Sequence, residues 1–425
     1  MIRLSNTRLA DNRRVDIYIQ DGKIARIEPI GTSCPADETI ECYGYLALPG
    51  LIDSHVHFRT PGGEAKEDWP HGSQAAILGG VTTVGDMPNT NPTTTTHELF
   101  ARKLSEIGQQ PINYSLWFGA TPTNMMEIES VASLPGLLGV KVYMGASTGD
   151  LLVSLEKDQR KVMESCAPRQ LIVAVHAEDD GMLKERKSLL SQDPQPAEHC
   201  FIRFAEAEIS AVKQALRLQR ETGCRLYFCH ISHPTSLELI HEAKMTGADI
   251  VVECCPHHIF IDWTAMDRPD GTLFQMNPPL RSPEEVKLMQ YYLLQGEYID
   301  VIGSDHAPHT MEEKLGQRYP QTPSGVPGVQ TIMPMLYSLV HAGRLGLAEM
   351  VRLISGRVGE IFYGGRKGKI EIGADADLLI FDPAPLHTIR SEEMASKMQF
   401  TPFDGFESHG LIKLVMVGGQ VVHSA

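Results

Sequence analysis

The 425-residue sequence lacks several features that mark whole classes of protein. It contains no run of about eighteen apolar residues, which a transmembrane helix requires. Its first residues lack the basic start and the apolar core of a secretion signal, so we expect a cytoplasmic protein. Its eight cysteines include no C-x-x-C pair, and in a chain without an export signal we expect them to be reduced and structural.

A surplus of basic residues is also missing. The chain has 38 Lys and Arg against 53 Asp and Glu, which gives a formal net charge of −15. Such a chain has little positive charge to spare for phosphates, so a nucleic-acid partner is not expected. No Gly-x-Gly-x-x-Gly fingerprint or Walker motif supports nucleotide binding. These absences do not bear on a small anionic substrate, which feels only the local field of its pocket.

Apolar, β-branched runs recur through the middle of the chain, with helical stretches such as 205–221 between them. The candidate strands are 50–57, 81–86, 114–119, 139–143, 171–176, 225–230, 249–254 and 299–305. Runs without polar alternation are typical of a sheet that is covered on both faces. Eight of them with intervening helices predict an α/β fold, a (β/α)8 TIM-type barrel. A doubly wound sheet is the alternative.

Both ends of the chain show the alternation of short, half-buried strands. Residues 14–20 and 23–28 flank an Asp21-Gly22 turn, which predicts a hairpin. Neither end has enough apolar surface for a core of its own. We therefore predict one small β-sandwich domain built from residues 1–50 and 360–425, and a hydrolase barrel built from residues 51–359.

Reactive side chains end several candidate strands. His55 and His57 end the first strand, His176 the fifth, His230 the sixth and Asp305 the eighth. In a parallel barrel these ends meet at one mouth, where catalysis takes place. Residues at i and i+2 of a strand point to the same side, so His55 and His57 can share a metal ion.

Four imidazoles and a carboxylate suit a divalent transition metal, with zinc as the first candidate. These five side chains are more ligands than one tetrahedral site with an open position can take. Two metal ions about 3.5–4 Å apart could bind all of them. Such a pair needs an anionic bridge, and Lys141 lies in the fourth strand where a carboxylate would serve. Reaction of its amine with carbon dioxide would give a carbamate. We predict two Zn2+ ions bridged by carboxylated Lys141. His257 and His258 could be a ligand pair in isolation, but we expect them to support the ligands from behind or to pack in the core.

Two terminal segments, Leu48-Pro-Gly-Leu-Ile-Asp-Ser-His-Val-His57 and Gly373-Ala-Asp-Ala-Asp-Leu-Leu-Ile380, resemble the amidohydrolase superfamily. The similarity covers essentially the whole chain, and within the superfamily the chain most resembles dihydroorotase of class I. The residues that discriminate are Arg59 with Pro61-Gly62, Met87-Pro-Asn89-Thr90, Asn277-Pro-Pro-Leu-Arg281 and Asp305-His-Ala-Pro-His309. Such enzymes interconvert dihydroorotate and N-carbamoyl-L-aspartate in pyrimidine biosynthesis.

The resemblance implies roles for particular residues. Metal ligands would be His55 and His57 on one ion, His176 and His230 on the other, carboxylated Lys141 between them, and Asp305 as ligand and catalytic acid/base. Substrate contacts would be Arg59, Asn89, Asn277 and His309, together with Ser324 and Gly325 in the turn 323–328. Many bacterial class I members carry Asp at the position of Lys141, and the lysine resembles the carbamylated version found elsewhere in the family.

The expected chemistry is hydrolysis of a ring amide by water that a metal pair activates, with Asp305 moving the proton. Arg59 would bind the substrate carboxylate. This expected contact distinguishes a dihydroorotase from the alternatives, a hydantoinase, a dihydropyrimidinase or an allantoinase. A third hypothesis is a non-catalytic scaffold for aspartate transcarbamoylase, against which the filled ligand positions argue. As partners we expect a small-molecule substrate, a second copy in a homodimer and an association with aspartate transcarbamoylase, but no membrane. We expect the polar stretch 310–323 to cover the substrate.

Overall fold

The computed structural model describes residues 1–32, 34–147 and 151–425, and its strands form two sheets. The strands are β1 Ile2–Arg8, β2 Arg14–Gln20, β3 Lys23–Pro29, β4 Glu38–Glu41, β5 Leu46–Pro49, β6 Leu51–Val56, β7 Val81–Asp86, β8 Asn113–Gly119, β9 Leu137–Tyr143, β10 Ile172–His176, β11 Arg225–Phe228, β12 Ile250–Cys254, β13 Val301–Ile302, β14 Leu378–Thr388, β15 Glu407–Val417 and β16 Gln420–Ser424.

Strands β6 to β13 form a barrel. They pair in sequence order and all neighbours are parallel. Almost every residue in them is buried, as expected for a sheet covered on both faces. The ring closes just beyond β13, where the amide of His57 donates to the carbonyl of His306 at 2.8 Å. The TIM-type barrel prediction is confirmed, and the doubly wound alternative is wrong.

Helices follow the barrel strands along the chain, and the last four come after β13. They are α1 Trp69–Leu78, α2 His97–Ile107, α3 Met125–Ile128, α4 Glu156–Cys166, α5 Asp180–Lys187, α6 Glu198–Ile202, α7 Ala205–Thr222, α8 Pro234–Met245, α9 Pro256–Phe260, α10 Pro283–Gln295, α11 Met311–Leu315, α12 Ile332–His341, α13 Leu347–Val351 and α14 Arg357–Tyr363. Polar side chains cap several of them: Asp68 accepts from the amide of His71, and Thr96 from that of Leu99. No described helix is long and apolar enough to cross a membrane.

The second sheet joins both ends of the chain in the order β16-β15-β14-β5-β1-β2-β3, with β4 beside β1. The predicted hairpin is confirmed, since β2 and β3 pair antiparallel. Strand β14 pairs with β5, and one apolar cluster takes residues from both ends, such as Leu4 and Leu378. The chain then passes through Gly50 straight into β6. The domain boundaries at residues 50 and 359 stay a prediction.

Two of the predicted site residues lie in turns beyond their strands. Strand β11 ends at Phe228 and β13 at Ile302, so His230 and Asp305 follow after two and three residues. Both have left-handed backbone conformations, with φ of 38° and 45°. Arg59 shares this feature, with φ of 61°. Non-glycine residues adopt such angles at a cost, and they gather at functional sites where the surroundings hold them.

The short helix α9 holds a buried histidine that should make stability depend on pH. His258 donates from Nε2 to the carbonyl of Pro278 at 2.9 Å, in agreement with a packing role. Burial lowers its pKa from 6.5 to about 4. Between pH 6.5 and pH 4 the unfolded chain therefore binds more protons at this histidine than the folded chain does. The free energy of unfolding consequently falls as the pH drops from 6.5 to 4.

We expect a His258→Gln variant to lose less stability than the wild type over that range. The amide of glutamine can still donate to the Pro278 carbonyl but does not titrate. At pH 4 the loss in the free energy of unfolding should be smaller in the variant than in the wild type by about 3 kcal/mol. Urea unfolding of metal-free protein at pH 6.5 and pH 4 measures it. Parallel losses in the two proteins would contradict a neutral, buried His258.

Candidate metal centre and substrate pocket

One cavity of about 360 Å³ opens at the carboxyl ends of the barrel strands. It brings together all the predicted site residues except His309. Its lining consists of His55, His57, Arg59, Asn89, Lys141, Tyr143, Ser147, His176, His230, Asn277, Asp305, Ala307, Ser324 and Gly325. The strand ends thus converge as a parallel barrel requires.

The first pair of histidines meets Asp305. Nε2 of His55 lies 3.2 Å and Nε2 of His57 lies 3.1 Å from the same atom, Oδ1 of Asp305. All three side chains are almost fully buried. Two imidazole nitrogens and a carboxylate oxygen therefore converge from opposite ends of the barrel sequence, as ligands of one cation would.

The second pair lies alongside the first. Nδ1 of His176 is 3.1 Å from Nε2 of His230, and the ring of His230 is centred 5.3 Å from that of His55. Nδ1 of His230 is buried and has no hydrogen-bond partner among the described residues. Ligand atoms of His55, His230 and Asp305 all lie within 4.8 Å of one another, so the two pairs form one continuous cluster.

Three of the histidines, His55, His57 and His176, have an acceptor for the ring nitrogen that faces away from this cluster. Nδ1 of His55 is 2.7 Å from Oε1 of Glu253, and Nδ1 of His57 is 2.7 Å from Oδ1 of Asn89. Nε2 of His176 is 2.7 Å from Oε2 of Glu178. An outer N–H held by a carboxylate or an amide oxygen leaves the inner nitrogen with its lone pair. This is the arrangement of metal-binding histidines, so the donor set fits divalent metal ions.

Lys141 is fully buried in the midst of the histidines. Among the described residues its Nζ has one hydrogen-bond partner, Sγ of Cys229 at 2.9 Å. Burial is the largest cause that lowers the pKa of His176 and of His230, and the charge of Lys141 adds to it. No carboxylate of the described residues lies within ion-pair distance of this amine, and next to a cluster of metal-ligand type a carbamate would supply the missing anion.

Protonation in the cavity also suits metal binding. Burial lowers the pKa of His57 to about 4, which keeps that ring neutral at pH 7. Burial by itself would raise the pKa of Asp305, but the adjacent rings of His55 and His57 bring it well below its ordinary value. Neutral imidazoles and an ionised carboxylate are the forms that metals require. His55 departs from this pattern. Burial alone would lower its pKa, but the charges of Glu253 and Asp305 raise it well above its ordinary value, so this ring would release a proton on binding a metal ion.

Arg59 lies on the wall of the cavity and is 6% exposed. Its Nε donates to the carbonyl of Pro308 at 3.2 Å. No carboxylate of the described residues lies within ion-pair distance of its guanidinium. A buried cation without a counter-ion is costly, so a negatively charged group is expected to enter the cavity beside it.

His309 stands behind Arg59 instead of lining the cavity. It is fully buried, and its Nε2 lies 3.3 Å from Nη2 of Arg59 and 3.0 Å from the carbonyl of Ser324. Its Nδ1 is 3.2 Å from Nζ of Lys66. Burial, followed by the charges of Arg59 and Lys66, lowers the pKa of His309 to about 3. A neutral His309 thus supports Arg59 from outside the cavity.

The remaining predicted contacts lie around the mouth. Nδ2 of Asn277 is 3.5 Å from Oγ of Ser147, and its Oδ1 is 3.0 Å from Nε2 of His199. Gly325 has φ of 143°, and a Cβ there would lie 2.2 Å from the carbonyl of Ala307. Only glycine fits this position, where the turn passes closest to the segment after Asp305.

The stretch 310–323 is more ordered than a surface loop. It contains helix α11, which begins with a capping box between Thr310 and Glu313. Lys314 is fully buried, and its Nζ donates to the carbonyls of Gln275 at 2.9 Å, Pro323 at 3.2 Å and Gly325 at 3.1 Å. The helix is therefore tied to the cavity wall, and whether the stretch covers a substrate stays a prediction.

Sequence reasoning missed several residues around the cluster. Tyr143 lines the cavity, and Glu178 and Glu253 hold histidines. Tyr143 follows Lys141 by two residues, and Glu178 follows His176 by two. Residues two apart on a strand face the same side, so this periodicity could have identified Tyr143. Glu253 is the only charged residue in the otherwise apolar run Ile250–Cys254, which is a second usable signal. Ser147 has no comparable signal in the sequence.

Comparison with known proteins agrees with this geometry. Residues 46–422 match the amidohydrolase family. A dihydroorotase of Methanosarcina mazei is 35% identical over 96% of this chain and 91% of its own length, and one of Methanosarcina acetivorans is 36% identical over 96% and 89%. The solved L-hydantoinase (dihydropyrimidinase) of Arthrobacter aurescens superimposes with a TM-score of 0.92 at 30% identity, over 100% of this chain and 96% of that one. The chain belongs to the amidohydrolase family, which confirms the resemblance seen in the sequence.

A Lys314→Met variant tests the wall of the cavity. Methionine fills similar space but donates no hydrogen bond, so three buried carbonyls lose their donor. We expect a loss of about 2–4 kcal/mol in the free energy of unfolding, measured with urea. Lys287→Met, on the exposed face of α10, is the matched control. Equal stability of the two variants would show that the Lys314 contacts do not hold the wall.

Proposed function

We propose that this protein is a zinc-dependent dihydroorotase, which hydrolyses (S)-dihydroorotate reversibly to N-carbamoyl-L-aspartate in de novo pyrimidine biosynthesis. The observation that carries the substrate is the buried guanidinium of Arg59, which lines the cavity of the histidine cluster without a carboxylate partner among the described residues. Dihydroorotate brings a ring amide for the cluster and a carboxylate for the arginine. The two curated relatives described above carry the name dihydroorotase.

The metal centre is assigned to six residues. His55 and His57 would hold one Zn2+, His176 and His230 the other, and Lys141 as a carbamate would bridge them, with Asp305 as a further ligand. When bound, the ions would polarise the amide carbonyl and make water a better nucleophile near pH 7. The support is the convergent donor set and the acceptors that fix the outer nitrogens.

Asp305 is assigned the proton transfers. Its Oδ1 faces both His55 and His57, and its lowered pKa keeps it ionised as a base. It would take a proton from the attacking water and return it to the ring nitrogen that leaves. The assignment is supported by its position in the turn after β13, which brings it to the cavity that Arg59 also lines.

Arg59 is assigned the substrate carboxylate, with His309 behind it. A planar guanidinium can bind a carboxylate through two parallel hydrogen bonds, which would fix the ring orientation over the cluster. Asn89, Asn277, Ser324 and Gly325 would complete the contacts from the other walls. Asn89 also faces Nδ1 of His57, so it would link substrate binding to a metal ligand.

A hydantoinase or dihydropyrimidinase is the second candidate. It is favoured by the superposition on the Arthrobacter aurescens enzyme with a TM-score of 0.92. A neutral ring would leave the charge of Arg59 unpaired, which is why we rank this function second.

A homodimer and an association with aspartate transcarbamoylase complete the proposal. Light scattering of the pure protein, with and without that enzyme, tests both.

The direct test is turnover by purified protein loaded with zinc. We expect conversion of dihydroorotate to carbamoyl-aspartate and the reverse, with two zinc ions per chain by elemental analysis. Hydantoin and dihydrouracil serve as competing substrates. No conversion of dihydroorotate in either direction would refute the proposed function, and a preference for a neutral ring would favour the second candidate.

Arg59→Met separates the two candidates by its effect on substrate choice. Loss of a buried charge pair should lower kcat/KM for dihydroorotate on the order of 10²–10³-fold, and should leave turnover of neutral rings nearly unchanged. Arg220→Met, on the exposed face of α7, is the matched control. Unchanged kcat/KM for dihydroorotate in Arg59→Met would contradict the carboxylate assignment.

Lys141→Ala tests the bridge. Without the carbamate the centre lacks its shared anion, so we expect loss of most activity and of bound zinc. Small carboxylic acids such as acetate should restore part of both, because they can occupy the same space. Mass spectrometry of the native wild type should show carbon dioxide added to Lys141. An unmodified amine together with a single zinc ion would refute the bridged pair.

A further inference from the structure

Glu253 is a buried carboxylate in the seventh barrel strand, β12, for which the proposed mechanism has no use. Its side chain is 0% exposed, and the neighbouring residues of the strand are apolar. Ionised groups in such places are normally paired or bound to a cation. Among the described residues its ion-pair partner is His55, with no lysine or arginine within 4 Å.

Three hydrogen bonds reach this carboxylate from different parts of the barrel. Oε1 accepts from Nδ1 of His55 at 2.7 Å and from the backbone amide of His230 at 2.9 Å. Oε2 accepts from the hydroxyl of Tyr227 at 2.7 Å. His55 belongs to the first strand, and His230 follows the sixth. One oxygen atom of Glu253 therefore touches a proposed ligand of each metal ion.

The surroundings hold Glu253 in one position. Tyr227 is fully buried, and its hydroxyl lies 2.8 Å from Oγ of Ser54. On the other side a Cβ at Gly303 would lie 2.5 Å from Oε2 of Glu253, so glycine leaves the space that the carboxylate occupies. A carboxylate fixed on both sides can orient the groups that donate to it.

We propose that Glu253 is a positioning residue that fixes both halves of the metal centre, through the ring of His55 and the backbone of His230. This inference rests on the proposed metal centre. A proton held on Nδ1 of His55 leaves the lone pair of Nε2 directed at Asp305 and the first metal position. The bond to the amide of His230 supports a left-handed turn, with φ of 38°, that aims this ring at the second position.

Glu178 makes a useful comparison, because it also receives a histidine. It touches one ring only, that of His176, and Arg203 neutralises it with hydrogen bonds from Nε at 3.1 Å. Among the described residues no lysine or arginine pairs with Glu253, and its ion-pair partner is the ring of His55, so its negative charge acts directly on the metal-ligand cluster. Its loss should therefore weaken both metal positions, whereas loss of Glu178 should weaken one.

The experiment is a zinc titration against a competing chelator, which reads affinity and stoichiometry without any substrate. For Glu253→Gln we expect zinc to bind about 10–100-fold more weakly at both positions, the range found for lost partners of metal-binding histidines. Tyr227→Phe keeps the carboxylate and should have a smaller effect. Asp16→Asn removes another fully buried carboxylate, in the second sheet, and should leave zinc affinity unchanged.

Cobalt substitution gives a second readout. The visible absorption of Co2+ reports ligand geometry, and we expect it to shift in Glu253→Gln and not in Asp16→Asn. If Glu253→Gln does not fold, Gly303→Ala decides the question by the same titration. The Gly303→Ala variant keeps the carboxylate of Glu253, but the added methyl group would displace its Oε2. We therefore expect weaker zinc binding at both positions.

The inference would be overturned if a folded Glu253→Gln protein bound two zinc ions with wild-type affinity. This outcome does not depend on which substrate the protein hydrolyses. The same holds for wild-type affinity in Gly303→Ala if that variant is the one measured. Failure of the proposed function looks different. In that case the wild-type protein binds zinc and responds to Glu253→Gln as expected, but leaves dihydroorotate and carbamoyl-aspartate unchanged.

Discussion

Four imidazole rings can point their lone pairs at one small volume only if the opposite side of each ring is held. In this barrel acceptors hold three of the four rings, namely Glu253 for His55, Asn89 for His57 and Glu178 for His176. The fourth, His230, is held through its backbone amide, which donates to Glu253, while its Nδ1 has no partner among the described residues. Without them the rings would be free to turn or to carry the wrong proton. The proposed chemistry depends on this constraint before it depends on any metal.

The substrate side of the cavity follows a different principle. Arg59 is a buried charge without a carboxylate partner among the described residues, and its guanidinium donates to the carbonyl of Pro308 and lies beside the ring of His309. Lys314 ties the turn at Gly325 to the same wall through backbone carbonyls. These contacts hold Arg59 next to the histidine cluster, where we propose that a substrate carboxylate binds. Family membership alone would not distinguish this anion site from the pocket of a neutral ring.

Much of this arrangement was predictable because it depends on local periodicity. Apolar, β-branched runs indicated strands covered on both faces, and reactive residues at their ends indicated a common mouth. His55 and His57 could be paired from their spacing alone. Glu253 could not, because its partners lie 198 and 23 residues away along the chain. The burial of His309 behind Arg59 was equally invisible, since a loop residue has no period that shows which way it faces.

The sequence by itself determined the barrel, its mixed companion sheet and the set of residues that could bind metal. These follow from hydrophobic pattern and from the chemistry of side chains, both of which are written in neighbouring residues. Only the tertiary structure decided which nitrogen of each histidine faces the cavity, which carboxylates lie behind them, and that no carboxylate of the described residues pairs with Arg59. Such properties arise from contacts between distant strands, and a few degrees of rotation of a ring or a turn would change them.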